Sequence, residues 1–156
     1  MSFEIRILAA GDTAVLDRVA PDVFDHPVDP ALAREFLADP RHHLAVALDQ
    51  DLVIGFASGV HYIHPDKPAE FWVNELGVAE SHRGQGIGKA VLQALLVAGR
   101  QLGCAQAWVL TDDDNGPAMA VYRAAGGVEE ARPSTMFTFD LTAAEKRGSL
   151  RTLRRP

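Results

Sequence analysis

Cysteine is nearly absent: Cys104 stands alone in 156 residues. One thiol cannot form an intrachain disulfide, so a disulfide-stapled secreted scaffold is excluded. Long apolar runs are missing too, and no stretch approaches the roughly 20 residues that span a bilayer as a helix. Residues 1–10 alternate polar and apolar side chains, without the basic start and continuous apolar run of a secretory leader. There is no internal repeat, low-complexity tract or linker. A cytoplasmic protein with no membrane partner is the expectation.

Positive charge is scarce until the end of the chain. Residues 142–156 carry Lys146, Arg147, Arg151, Arg154 and Arg155 against Glu145, a surplus of four. The chain as a whole is −6, so residues 1–141 are at −10. Such a body repels nucleic acid and attracts cationic small molecules. Hydrophobic residues make up 47% and charged residues 23%, enough apolar material for one core in a single domain. The expected organisation is one domain over 1–141 and a basic, solvated tail over 142–156.

Periodicity predicts a strand over 3–8, with Phe3, Ile5 and Ile7 on one face. Asp12 or Thr13 is placed to cap a helix running toward Phe24, and 31–38 fits a short helix stopped by Asp39-Pro40. Two strands, 44–48 and 52–63, flank a turn at Asp49-Gln50-Asp51. A third, 70–79, is expected to put Phe71, Val73 and Glu75 on one face and Trp72, Asn74 and Leu76 on the other. Residues 87–102 form the strongest helical pattern, with Ile87, Val91, Leu95, Ala98 and Leu102 in register and Gly103 as the stop. A buried strand over 105–111, a helix opened by Pro117 and closed by Gly126-Gly127, and a final strand over 135–141 complete the pattern. The fold class is α/β (α+β): a mixed, mostly antiparallel sheet flanked by helices on both faces.

The densest local signal is Arg83-Gly84-Gln85-Gly86-Ile87-Gly88-Lys89. Three glycines in five positions precede the best helix. They let the backbone turn sharply and approach a ligand, and the first N–H groups of the helix then face an anion. Arg83 and Lys89 add positive charge in an acidic body. A Walker turn is disfavoured because Ala90 replaces the hydroxyl that would hold magnesium. A Rossmann turn is disfavoured because the spacing is G-x-G-x-G and several strands precede it.

These residues resemble the GNAT acetyltransferase superfamily. Its signature [QR]-x-x-G-x-[GA], after a strand ending L-x-V, is met by Leu76-Gly77-Val78 and Arg83-Gly84-Gln85-Gly86-Ile87-Gly88. A second signature is met by Asn115, Ala118, Tyr122 and Gly126; Gly127 replaces the aromatic residue that usually follows. The resemblance covers residues 3–141. It implies acetyl-CoA as cosubstrate, with its pyrophosphate on the backbone of residues 83–89. Its pantetheine arm would pair with the backbone of Leu76 and Val78 like an added strand. The Leu76 N–H would polarise the acetyl carbonyl, Asn115 would bond the arm, and Tyr122 would protonate the departing thiolate. Without the second signature, Tyr122 would read as a core aromatic on the inner face of a short helix.

The acceptor must be an amine. Glu75 precedes Leu76-Gly77-Val78 and is a candidate to bind an ammonium and take its proton; it also reads as an exposed strand residue. Asp112, Asp113 and Asp114 either bind a cationic substrate or cap the helix at Pro117. His61 and His64 are candidates to line the acceptor cleft, whereas His26, His42 and His43 read as surface residues. His61-x-x-His64 has metal-like spacing, but with one cysteine and no further clustered ligands no metal is expected. Within the superfamily the stretch Asp51 to Leu96 looks most like the aminoglycoside 3-N-acetyltransferases; similar features are the acid before L-x-V, His82-Arg83, the Pro-Ala helix start and Met136-Phe137-Thr138-Phe139-Asp140. An aminoglycoside is thus the leading acceptor; another small amine, a polyamine, a peptide amine or a non-catalytic acyl-CoA sensor are the alternatives. Superfamily members often dimerise, so a homodimer is possible.

Overall fold

Five strands run in the order β1-β2-β3-β4-β5 in the computed structural model, which describes residues 2–132 and 134–141. They are β1 (Glu4–Leu8), β2 (His42–Asp49), β3 (Leu52–Tyr62), β4 (Glu70–Val78) and β5 (Gln106–Trp108). The first four form an antiparallel meander, and β5 joins β4 in parallel. The helices are α1 (Pro30–Ala38), α2 (Ile87–Gln101) and α3 (Gly116–Ala124).

Local chemistry accounts for the helix ends. Asp29 Oδ1 accepts the N–H groups of Ala31 and Leu32 at 2.7 and 3.1 Å, with Pro30 at the first helical position. Asn115 caps α3 by accepting the Ala118 N–H at 3.2 Å. Gly103 and Gly126, both at positive φ, end α2 and α3. The expected helix from residue 13 toward Phe24 is only a 3-10 turn over Thr13–Asp17. The Asp12 carboxylate is taken by Arg6 and by the Ala9 N–H. Beyond the turn, Arg18 and Ala20 bond to the backbone of Val53, which draws the chain out along the sheet.

One irregularity decides what faces where. Ser58 lies opposite Glu75 and Gly59 opposite Val73, so Asn74 is an extra residue in β4. This bulge reverses the alternation. Phe71, Val73, Leu76 and Val78 share the face covered by α2; Trp72, Glu75 and Gly77 share the other. The expected grouping of Glu75 with Phe71 and Val73, and of Leu76 with Trp72, is therefore overturned. A strict period of two cannot anticipate an inserted residue.

Helix α2 packs on one face of the sheet. Ile87, Val91, Leu92 and Leu95 are all at most 4% exposed, and burying such side chains contributes roughly 1.5–3 kcal/mol each. On the opposite face residues 18–29 cross the sheet, where Phe24 stacks on Phe56 at 4.0 Å. A Cβ on Gly77 would lie 2.1 Å from the Val23 carbonyl oxygen. Position 77 is therefore glycine because another backbone passes over it. The helical and irregular segments thus cover both faces of a mixed sheet, as expected.

The far edge differs from expectation. The predicted buried strand over 105–111 is a three-residue strand in which Gln106 and Ala107 are exposed and Trp108 is half-buried. Residues 135–141 form no strand, and Met136, Phe137, Phe139 and Leu141 are exposed. Alternating residues make a strand only where a neighbour supplies hydrogen bonds. The basic tail, 142–156, lies outside the described residues.

His43 is not the surface residue expected. It is half-buried on the α2 face, its Nε2 2.8 Å from His61 Nδ1 and its ring 5.3 Å from Phe71. Burial, then the neighbouring His61 and His42, pushes its pKa down to about 4. A folded-state value below the unfolded 6.5 means that the stability it contributes is full above pH 6.5. That stability is lost as pH falls toward 4. Half-exposure reduces the effect to about 1 kcal/mol, or roughly 2–4 °C in melting temperature. His43→Phe should flatten the melting-temperature profile between pH 7.5 and pH 5 by about that amount; thermal unfolding at the two pH values checks it.

Candidate active site

The parallel pairing of β4 with β5 stops at Trp72 and Trp108. Beyond that point β4 continues to Val78, bonded to β3 on one side only among the described residues. The Ala79 N–H donates to the Ile54 carbonyl of β3 at 2.9 Å. Backbone direction alternates along a strand, so the N–H groups of Leu76 and Val78 point away from β3, into the gap left by β5. The Val78 carbonyl faces the same way and accepts Arg83 Nε at 3.4 Å.

The chain then makes a 3-10 turn, Glu80–His82, and passes through Gly84 and Gly86 at φ of 75° and 81°. Both are left-handed conformations that favour glycine. Gly86 is the N-cap of α2 and offers no side chain to it. The first helical bond runs from the Ala90 N–H to the Gly86 carbonyl, leaving those of Ile87, Gly88 and Lys89 without acceptors among the described residues. Converging N–H groups at a helix N-terminus are a site for an anion such as a phosphate.

The open backbone of β4 and the start of α2 share one open cleft of about 880 Å³, within the range of ligand sites. Leu76, Gly77, Val78, Arg83, Gly84, Gly86, Ile87, Gly88 and Lys89 line it; Gln85 does not. Its opposite wall is α3, through Asn115, Pro117, Ala118 and Val121. The Asn115 carbonyl oxygen is engaged as the helix cap, which leaves its NH2 group for the cleft.

Glu75 lies at the cleft on the face of Trp72, exposed, with Ser58 Oγ 3.5 Å from its Oε2. Ser58 is 3% exposed and is the buried polar side chain among the described residues. Asp22 and Asp25, from the segment crossing the sheet, also line the cleft. Sequence reasoning missed Ser58, Asp22 and Asp25. The bulge aims Ser58 at Glu75, and the path of residues 18–29 brings in the two aspartates; neither leaves a local motif.

Tyr122 sits beside Val121 on α3, half-buried against the core, and is not among the cleft residues. Burial raises its pKa and keeps the phenol protonated. Its hydroxyl has no hydrogen-bond partner among the described residues. Asp112, Asp113 and Asp114 are exposed on the turn before α3, outside the cleft, and the cap of that helix is Asn115. His61 is on the α2 face, bonded to His43 and away from the cleft. His64 lies by Glu70 at 3.8 Å. Among the described residues no three His, Cys, Asp or Glu side chains converge as a metal site, and no helix is long and apolar enough to cross a membrane.

A model of the Acetyltransferase (GNAT) family matches residues 13–126. The chain is 35% identical over 104 residues to the N-alpha-acetyltransferase RimI of Mycobacterium tuberculosis (strain ATCC 25618 / H37Rv), covering 67% of this chain and 63% of RimI. The match therefore spans less than two thirds of that relative. Among solved structures, an aminoglycoside acetyltransferase from an uncultured soil metagenomic sample, in complex with sisomicin, superposes with a TM-score of 0.71. It is 20% identical, over 88% of this chain and 96% of that one. The aminoglycoside N-acetyltransferase AAC(6')-Iy in complex with CoA gives 0.69 at 22% identity, over 88% and 95%.

Proposed function

The chain belongs to the GNAT acetyltransferase family, and on that premise we propose that it is an acetyl-CoA-dependent N-acetyltransferase acting on a cationic small-molecule amine. One observation carries the reading: the outward N–H groups of Leu76 and Val78 and the free N–H groups at the start of α2 lie in one cleft. A strand-like amide arm joined to a pyrophosphate fits that pair of surfaces, and acetyl-CoA has both. We take residues 1–141 as one acetyltransferase domain and 142–156 as a basic tail.

Acetyl-CoA supplies an activated acetyl group as a thioester. The residues of this chain bind, orient and move protons around it. Residues 83–89 hold the pyrophosphate through backbone N–H groups, and Arg83 and Lys89 add charge. The backbone of Leu76 and Val78 aligns the arm, and the Leu76 N–H stabilises charge that builds on the carbonyl oxygen. The amine nitrogen bonds to the carbonyl carbon, and the carbon–sulfur bond breaks. Glu75 takes the amine's proton, directly or through water, with Ser58 steadying its carboxylate. Tyr122 returns a proton to the thiolate.

Gly86→Val should raise the Kd for acetyl-CoA at least about tenfold. Position 86 has open space around a Cβ but a φ of 81°, so the variant folds with a strain of about 1–2 kcal/mol. Its side chain then stands where phosphate must approach. Calorimetric titration of the folded variant checks this; wild-type affinity would move the pyrophosphate elsewhere.

Glu75, Asp22 and Asp25 put three carboxylates around the cleft in a body of net −10. That field favours a multiply charged acceptor, and salt screens it. An aminoglycoside is our leading candidate. Thiol release with an amine panel tests this: the best substrate should be polycationic, with kcat/KM falling about fivefold or more from about 50 to 500 mM salt. A best substrate that is neutral apart from its reacting amine defeats the aminoglycoside reading. The 35% identity to RimI favours a peptide α-amine as the second reading, so N-terminal peptides belong in the panel.

A further inference from the structure

The face that carries Glu75 continues past the cleft as an aromatic shelf. Trp72 of β4 and Trp108 of β5 stack at 5.4 Å with an 11° angle between rings. Trp108 is anchored from below: its Nε1–H donates to the Tyr62 hydroxyl at 2.8 Å, and that hydroxyl donates to Glu70 Oε2 at 2.8 Å. Lys67 bonds the same carboxylate at 2.8 Å. The chain Trp108–Tyr62–Glu70–Lys67 therefore fixes one indole, and the other rests on it with 36% of its surface open. Cross-strand stacking explains why the two rings meet. It does not explain why so large an aromatic surface stays open beside a cleft.

Register gives the spacing. Trp72 faces Val60 and Glu75 faces Ser58, two residues apart on β3. Because Asn74 is bulged, Trp72 and Glu75 are consecutive positions on this face, roughly 7 Å apart. A flat ring lying on Trp72 would bring its own amine to Glu75. An indole face attracts both a cation and the polarised C–H face of a saturated ring. A flexible linear amine covers less of that surface and loses more conformational freedom in doing so.

We propose that Trp72, held by Trp108 and Tyr62, is the specificity platform for the acceptor, and that it selects amines carried on a six-membered ring over linear polyamines of equal charge. This rests on the acetyltransferase reading and narrows it to ring-borne amines such as amino sugars and aminocyclitols.

The chain has two tryptophans, Trp72 and Trp108, so its tryptophan emission reports on this shelf alone. Titration of the full chain with a deoxystreptamine aminoglycoside should change that emission saturably, and spermidine should need about tenfold more to match it. Trp72→Ala should raise the acceptor KM about tenfold, with acetyl-CoA KM unchanged and kcat within about twofold. Trp72→Phe should recover most of the loss. A ring amine that is acetylated without altering the emission, or an unchanged acceptor KM in Trp72→Ala, overturns the platform and leaves the enzymatic reading standing. An emission change with no amine ever acetylated defeats the enzymatic reading and leaves the platform; silence in both defeats both. An equal response to spermidine overturns the ring preference.

Discussion

Tyr122→Phe should lower kcat by about 10²–10⁴-fold, the usual worth of general acid–base help, while acetyl-CoA binds with unchanged affinity. The ring stays, so the packing of α3 against the core is preserved. The hydroxyl has no hydrogen-bond partner among the described residues, so its removal leaves no buried group unpaired and stability should hold. A fall in rate therefore reports chemistry. Burial raises the phenol's pKa, which keeps it protonated and available to a thiolate at neutral pH. The measurement is single-turnover acetyl transfer beside a binding titration. Wild-type turnover, with the chemical step shown to limit the rate, would return Tyr122 to the role of a core aromatic; its place beside the cleft-lining Val121 makes that a sharp comparison.

Glu75→Gln should reduce kcat/KM for the amine by about 10²–10⁴-fold at neutral pH, with acetyl-CoA binding little changed. The amide keeps the shape of the side chain but takes no proton and offers no charge to an ammonium. Asp113→Asn should stay within about twofold, because Asp113 is exposed on the turn before α3 and outside the cleft. The two variants carry the same loss of charge, so a general field effect would lower both alike. Parallel steady-state profiles in acceptor concentration separate the cases. Equal losses would assign Glu75 to the field and the proton to another group.

Much of the frame was legible in residue order. The glycines before Ile87, the apolar spacing from Ile87 to Leu95, the stop at Asp39-Pro40, Pro117 at a helix start and Gly103 and Gly126 at helix ends are local choices. Each depends on backbone conformation or on neighbours within one or two turns. They placed α1, α2, α3 and the turn at residues 83–89 where the structure has them. Expectations that needed a distant partner fared differently. The run 135–141 alternates like a strand but has no strand beside it, and β5 shrinks to three residues at an open edge. The helix expected after Asp12 gives way to an extended path because Val53 offers hydrogen bonds to Arg18 and Ala20.

The candidate site divides along the same line. By itself the sequence determined the glycine-rich turn before α2 and the strand leading into it, since both are read within about twenty consecutive residues. Tertiary structure alone decided which carboxylates line the cleft. Asn74 bulges because β3 and β4 pair with unequal numbers of residues, and that one insertion turns Glu75 from the α2 face to the face of Trp72 and Ser58. Asp22 and Asp25 reach the same cleft, whereas Asp112, Asp113, Asp114 and His61 stay out of it. A strand's register and a loop's path are settled by the sum of contacts across the sheet, which no short window of residues contains.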